Sequence, residues 1–512
     1  MPDILLATLN AKFIHAAFGL RCLFANLGEL QPRAAIAEFD INQKPIEIAE
    51  AILARDPVIL GLGVYIWNVR ATTELIGILR RVRPDLIIVL GGPEVSYETD
   101  GQEIVALADH VITGEADLKF AEVCRGLLGP ETGRPALPKV IAAELPDLNQ
   151  LALPYDYYDA RDVAHRVIYV EASRGCPFTC EFCLSSLDLP VRQFPLDRFL
   201  GAMERLLERG VTQFKFVDRT FNLHLPTSTA ILKFFLTRMR PGLFVHFEMV
   251  PDRLPEALRE LIAQFPAGAL QFEVGVQTLN PEVEQLISRR QNQARMEDNF
   301  RWLREHSGVH IHADLIAGLP GEDLDSFVAG FDRLLAQGPQ EIQVGILKRL
   351  RGTPIIRHDA EWAMRYSPQP PYEVLHTSRM DFATLGRLRR LASFWDIYGN
   401  SGNFRETLPQ LWADGSPARA LLAFSDWLHT QGVKTSGIAL TRQFELLWQY
   451  LTGELRQERS GVAESLSADY RRGGRNDLPP WLRDSAKEAP AAKTRGTPKR
   501  QSRHLEATGP TG

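Results

Sequence analysis

For about its first 350 residues the chain alternates short β-branched runs with amphipathic helical stretches. Parallel sheets satisfy this pattern; all-helical and meander folds do not. Up to residue 130 the runs are DILLATL, AAIAEFD, VILGLGVYI, LIIVLGG and HVITG, with stretches such as TTELIGILRRV between them. Continuous apolar runs belong to strands covered on both faces, so 1–130 is expected to form a five-stranded, doubly wound α/β domain. A second series follows, VIYVEAS, QFKFVD, LFVHFEM, LQFEVGV, VHIHADL and EIQVGIL, each leading into a helical stretch. Six β/α units over 166–355 predict a partial TIM-type barrel, with its chemistry at the carboxyl ends of the strands. Pro, Leu and Asp enrich 131–165, which reads as a linker. Residues 370–465 carry helical periodicity rich in Trp and Phe and predict a helical C-terminal domain. From 471 to 512 the apolar period vanishes and a disordered tail is expected.

A net charge of -5 offers no global basic field, so nucleic acid is not an expected partner. The tail differs, with ten basic and four acidic residues from Arg471 onward. It reads as a solvated end. No run reaches the ~20 apolar residues of a membrane span, and Asp3 stands where a signal peptide carries positive charge, so a cytoplasmic location is expected. The five cysteines do not form a secreted disulfide pattern. In a reducing compartment such thiols are available to metals.

Three of those cysteines crowd into RGCPFTCEFCLSS, residues 174–186, as Cys176, Cys180 and Cys183. Cys22 and Cys124 lie on helix-like stretches and read as small core residues. A closed zinc site wants four protein ligands, whereas three thiolates on a [4Fe–4S] cluster leave one iron open. The Cys-x3-Cys-x2-Cys spacing, with Phe182 before the last cysteine and a barrel strand before the loop, resembles the radical S-adenosylmethionine (radical SAM) superfamily. That resemblance implies a [4Fe–4S] cluster on the three cysteines, S-adenosylmethionine on the open iron, and an outside electron donor such as flavodoxin or ferredoxin.

Further stretches extend the likeness. EVGVQTLNPEV resembles the fourth-strand segment that meets ribose or the methionyl group, which implicates Glu273 and Gln277; a salt-bridged rim is the plainer reading. ADLIAGLPGED resembles the fifth-strand glycine motif near adenine, which implicates Gly318, Pro320, Gly321 and Glu322; a strand-to-helix turn is the alternative. FKFVDRTFN resembles the second-strand ending of the cobalamin-linked branch, placing Asp218, Arg219 and Asn222 near S-adenosylmethionine. Glu248 is a weaker member of the same set.

The first domain resembles the flavodoxin-like, cobalamin-binding type through NAKFIHAAFGLR, GLGVYIWN, GGPEVSYE and ITGEADLKFAEV. The resemblance implies cobalamin, with Gly91 and Gly92 admitting it and Tyr65 and Trp67 packed on the corrin. The cobalt-ligating Asp-x-His-x-x-Gly pattern is absent; His15 stands either by the cobalt or in a loop hydrogen bond. The expected function is a radical SAM enzyme that, with cobalamin, methylates or rearranges an unactivated carbon of a small-molecule or otherwise unknown substrate. The alternatives are a radical oxidoreductase or cyclase without cobalamin chemistry, and a non-catalytic cluster or cobalamin sensor.

Overall fold

β1 (Ile4–Asn10) is buried along all seven residues, as an apolar run between two helical layers must be. In the computed structural model, which describes residues 1–129, 137–188, 190–413, 415–475, 477–483 and 500–504, β1 lies between β2 (Ala34–Asp40) and β3 (Ile59–Gly63). β4 (Ile87–Gly91), β5 (His110–Thr113) and β6 (Val140–Ala142) continue the sheet in the order β2-β1-β3-β4-β5-β6. Every pair is parallel. The expected five strands take the doubly wound order. The sixth comes from the stretch read as a linker: three residues are too few to show a period.

Helices α1 (Phe18–Ala25), α2 (Pro45–Leu53), α3 (Val69–Val82), α4 (Glu103–Leu107) and α5 (Lys119–Leu128) cover this sheet. Leu5, Ala7 and Leu9 of β1 pack with Ile48, Ile52, Leu75 and Leu79. Ile4 and Leu6 alternate onto the opposite face, with Leu20, Phe120 and Cys124. Because β2 and β3 leave β1 on opposite sides, the strands' carboxyl ends open a crevice there.

Two compact units make up the chain: Met1–Phe247 with Lys348–Ile356 and Ser367–Glu373, and Glu248–Leu347 with Arg357–Tyr366 and Val374–Gly512. After α6 (Ala160–His165) the first unit continues into barrel strands, β7 (Ile168–Val170) beside β10 (Gln213–Phe216), and β10 beside Phe244–Phe247 of β11 (Phe244–Met249), all parallel. Between β7 and β10, β8 (Ser173–Arg174) and β9 (Arg192–Gln193) pair antiparallel and bracket the cysteine loop. α7 (Leu196–Glu208) buries Phe199, Ala202, Met203, Leu206 and Leu207, the spacing of one helix face, and α8 (Leu225–Leu236) follows β10.

In the second unit α9 (Glu256–Ile262), β12 (Leu270–Gln277), α10 (Pro281–Leu286), α11 (Gln293–His306), β13 (His310–Ala317), α12 (Leu324–Ala336) and β14 (Glu341–Ile346) complete six β/α units along the chain. Phe272, Val274 and Val276 are buried; Glu273, Gly275 and Gln277 alternate onto the other face. The expected helical domain follows as α13 (Phe382–Tyr398), α14 (Pro417–Thr430), α15 (Leu440–Gln449) and α16 (Arg459–Arg472). Of the expected tail, Leu482 is fully buried and His504 Nε2 lies 2.9 Å from the Asn400 carbonyl oxygen. Residues 476, 484–499 and 505–512 of it lie outside the described residues. No helix among the described residues is long and apolar enough to cross a membrane.

Candidate functional site

The cysteine loop turns back on itself at Gly175, whose φ of +92° is open to glycine alone. A Cβ there would stand 2.6 Å from the Asp188 carbonyl oxygen and 2.8 Å from that of Pro190. Cys176 N–H donates to Asp188 O at 3.2 Å, and Cys183 N–H donates to Cys180 O at 3.1 Å. Cys176 and Cys180 are buried; Cys183 and Phe182 are half-buried. Burial pushes the Cys176 thiol up, as do the neighbouring Cys183 and Cys180 thiols, while the Phe178 N–H and the Arg219 guanidinium pull it down. The other two thiols and Arg219 are thus within electrostatic reach of Cys176.

No three His, Cys, Asp or Glu side chains among the described residues converge on one point as ligands of a single ion. A cluster asks for something else, one thiolate to each of three separate irons, and one loop offers three thiols. The donor set fits.

Asp218 and Asn222 are buried. Asp218 accepts from Ala172 N–H and, at 2.6 Å, from the Ser173 hydroxyl, fixing the strand end that leads to the cysteines. Burial raises its carboxyl to about 6 against those hydrogen bonds.

Arg174 ties the loop to the first sheet. It donates to Glu115 at 2.8 Å, to Asp117 at 2.8 and 3.1 Å, and to Glu171 at 2.7 and 3.0 Å. Burial lifts Glu171 to about 7, with Arg174 opposing it. These four residues also line a cavity of about 270 Å³ at the carboxyl ends of β3, β4 and β5. Gly19, Gly61, Gly63, Gly91, Gly92 and Gly114 line it as well, with Tyr65.

Gly91 leaves its Cβ position open, Ile112 O being the nearest atom at 3.7 Å. Gly92 has another cause: at φ +108° its Cβ would collide with the Val64 backbone. Tyr65 and Trp67 stack at 4.4 Å and 6°. Asn68, which the sequence reading passed over, is fully buried and holds their loop, accepting from Tyr65 N–H and donating to Leu9 O and Gly63 O. Phe13, Ile14, Trp67, Tyr97 and Leu118 are exposed, and all stand on loops after β1, β3, β4 and β5. A glycine-lined slot with an apolar rim suits a flat, amphipathic macrocycle with a tail. The residues present fit cobalamin.

His15 lies off this cavity, its Nδ1 2.6 Å from the Tyr169 hydroxyl. Of the two roles open to it, the loop hydrogen bond is present. The GGPEVSYE loop is clamped from later in the chain: buried Glu94 accepts from the Tyr372 hydroxyl at 2.6 Å and from Arg351 Nε at 3.0 Å.

In the second unit Gln277 ends β12 at φ +70°, an unusual conformation for a side-chain-bearing residue, just past a register shift against β13. Its amide folds over Gly275, where a Cβ would lie 2.5 Å from Nε2. Glu273 pairs in register with His312. Burial lowers the His312 pKa, and Glu273 opposes the shift. Gly318 (φ +88°) and Gly321 (φ +80°) have their Cβ positions filled, by Val374 and Leu385 in one case and Leu286 and Trp362 in the other. Close packing of their own unit accounts for both. Glu322 is buried, accepts from the Thr278 hydroxyl at 2.8 Å, and is raised by burial to about 8. Glu248 closes β11 and belongs to the second unit.

Residues 4–124 match the B12 binding domain, and residues 170–334 match the radical SAM superfamily. The chain is a radical SAM protein with a B12 binding domain. Its [4Fe–4S], S-adenosylmethionine and cobalamin set is that of the two matched domains. Residues 360–507 of this radical SAM protein match a third family, described as a protein of unknown function (DUF4080). The cobalamin-dependent radical SAM methyltransferase TokK of Streptomyces tokunonensis is 24% identical over 450 residues, 80% of this chain and 63% of TokK. The 2-(S-pantetheinyl)-carbapenam-3-carboxylate methyltransferase of Streptantibioticus cattleyicolor is 26% identical over 374 residues, 65% of this chain and 53% of that enzyme. The chain spans between about half and two-thirds of the length of the curated relatives it matches. The cobalamin-dependent radical enzyme OxsB, solved with aqua-cobalamin bound, shares the fold at a TM-score of 0.61 and 13% identity, over 95% of this chain and 83% of OxsB.

Proposed function

We propose that this protein is a cobalamin-dependent radical SAM methyltransferase acting on an unactivated carbon. When bound, the cluster with S-adenosylmethionine supplies a 5′-deoxyadenosyl radical, and cobalamin supplies the methyl group. Cys176, Cys180 and Cys183 hold the cluster, with Phe182 against it. Asp218 and Asn222 order the strand ends beside it. Glu273 and Gln277, the latter held in a strained conformation, are the contacts for the sulfonium cofactor, and the turn from Gly318 to Gly321 frames that strand end. Gly91 and Gly92, with Tyr65 and Trp67, receive cobalamin in the domain 1–130; the barrel is 166–355 and the helical domain 370–465. An electron donor of the flavodoxin or ferredoxin kind supplies the reductant.

One observation carries this reading: Arg174, two residues ahead of Cys176, lines the glycine slot and binds both acids of the ITGEAD loop. Slot and cysteine loop therefore share one buried ion network. Such coupling suits an enzyme that uses both cofactors in one cycle.

Product analysis tests it. Anaerobically reconstituted protein with S-adenosylmethionine, cobalamin and a reductant is expected to yield S-adenosylhomocysteine together with 5′-deoxyadenosine. 5′-Deoxyadenosine alone would point to radical oxidation or cyclisation instead, and neither product to a sensor.

A further inference from the structure

Gln277 is the centre of a three-residue turn at the end of β12. Thr278 N–H donates back to Val276 O at 2.9 Å, and the φ of +70° between them belongs to the rare, strained hand of that turn. The turn folds the Gln277 amide over Gly275, where a Cβ would meet it at 2.5 Å. The register against β13 passes over Val276, so the ladder is interrupted where the turn begins. A backbone in so sparsely populated a conformation persists only where its surroundings over-determine it.

Three side chains supply those surroundings. Gln291 Nε2 donates to Thr278 O at 3.1 Å and to Val276 O at 3.3 Å, so one amide spans Gln277 from both sides. Gln293, the first residue of α11, donates from Nε2 to Leu279 O at 3.1 Å. Both amides converge on Glu284 Oε1, Gln291 at 2.6 Å and Gln293 at 2.9 Å. Glu284 is buried on α10, a helix whose first turn is capped by the Asn280 side chain. The Gln291 carbonyl oxygen accepts from Arg289 Nε at 3.2 Å, so its nitrogen faces acceptors while its oxygen faces a donor. Arg289 Nη2 also donates to Gly275 O, under the Gln277 amide. All of these residues belong to the second unit.

We propose that Glu284, Gln291 and Gln293 are positioning residues that fix the Gln277 amide in the direction it needs to meet S-adenosylmethionine. The inference rests on the reading of Gln277 as a contact for that cofactor and adds what holds the contact in place. Glu284 acts through the two glutamines, and they act through the carbonyls around Gln277. A carboxylate accepts and a side-chain amide nitrogen donates, so the order carboxylate, amide, carbonyl is fixed by chemistry. A contact set in advance binds more tightly, because the ligand does not have to order it.

Equilibrium dialysis of labelled S-adenosylmethionine against the anaerobically reconstituted protein, without reductant, reads this contact as an affinity rather than a turnover. Gln291→Glu keeps the size of the side chain and removes both donors. It should bind S-adenosylmethionine at least about tenfold more weakly at unchanged iron content. Glu284→Leu should lose a similar factor, whereas Glu284→Gln, which keeps an acceptor for the two amides, should stay within about threefold of the wild type. In a Gln277→Ala background Gln291→Glu should cost less than about twofold, because the amide it acts through is gone. Should Gln291→Glu disturb the fold, Gln291→Met drops the same donors without adding a charge. Wild-type affinity in Gln291→Glu, with Gln277→Ala weakened, overturns the positioning role alone. A loss undiminished in the Gln277→Ala background overturns it too, since the effect then reaches the cofactor by another path. Wild-type affinity in Gln277→Ala overturns the contact itself and with it this inference.

Discussion

Arg174 and Asp117 meet through two parallel hydrogen bonds, Nη1 to Oδ2 at 2.8 Å and Nη2 to Oδ1 at 3.1 Å. The same guanidinium holds Glu115 and Glu171, so one cation serves three acids at the joint between the slot and the cysteine loop. Lysine brings the charge without the fork. Arg174→Lys is expected to leave part of this network unpaired, at a cost of about 1–3 kcal/mol. Its thermal midpoint should fall, and its iron content after anaerobic reconstitution and desalting should fall with it. Wild-type iron retention in Arg174→Lys would disconnect the network from the cluster.

Gly175 makes a sharper demand. Its positive φ and the carbonyls at 2.6 and 2.8 Å leave no position for a Cβ without moving the loop that carries Cys176. Gly175→Ala is expected to lose most of its iron and the broad absorption of thiolate-bound iron, much as Cys180→Ala should. An alanine variant with a full complement of iron would mean that the loop refolds freely around the cluster.

The alternation that announced both sheets was legible because strands buried on two faces must be apolar throughout, and β1, buried along its whole length, falls on the run read as DILLATL. The cysteine triad was legible because its spacing is local. Cys22 and Cys124 are indeed buried on helices, although Cys22 also lines the slot. What escaped depends on contacts remote in sequence. Nothing near Asn68 tells that its amide reaches the Leu9 carbonyl, 59 positions back, and nothing near Glu94 foretells Tyr372, 278 positions on. Gly318 and Gly321 carry a local motif, but the groups filling their Cβ positions come from Val374, Leu385 and Trp362. Periodicity reports which face is buried and stays silent on what covers it.

Glu322 should make stability depend on pH. In the folded chain it keeps its proton to about 8, whereas its ordinary value is 4.5. Between those values the unfolded chain binds fewer protons than the folded one, so stability falls as pH rises. The contribution is complete below about 4.5 and lost by about 8, and amounts to a few kcal/mol at most. Glu322→Gln keeps an acceptor for the Thr278 hydroxyl and carries no charge. Thermal midpoints from pH 5.5 to 8.5 are expected to fall less for the variant than for the wild type. Parallel curves would mean that this carboxyl ionises without strain.

The slot itself can be closed without touching the cysteines. Gly91 ends β4 with no more than ordinary contact at its Cβ position, the nearest atom being Ile112 O at 3.7 Å, and its φ is not in the left-handed region. A Cβ is therefore tolerated by the backbone, and a larger residue here borders the cavity that Gly91 lines. Gly91→Leu adds four carbons to a space of about 270 Å³, enough to exclude a ring that must lie flat among glycines. Cobalamin retained after gel filtration is expected to drop at least about tenfold, the equivalent of 1.4 kcal/mol or more. Iron content and far-ultraviolet circular dichroism should stay at wild-type values, since Gly91 lies on a strand whose pairing the change leaves intact and none of the Arg174 hydrogen bonds involves it. Gly92→Ala gives the contrasting result: its Cβ would strike the Val64 backbone, so it should lower the thermal midpoint of the whole domain. If Gly91→Leu retains cobalamin at the wild-type level, the cofactor sits elsewhere than in the glycine slot.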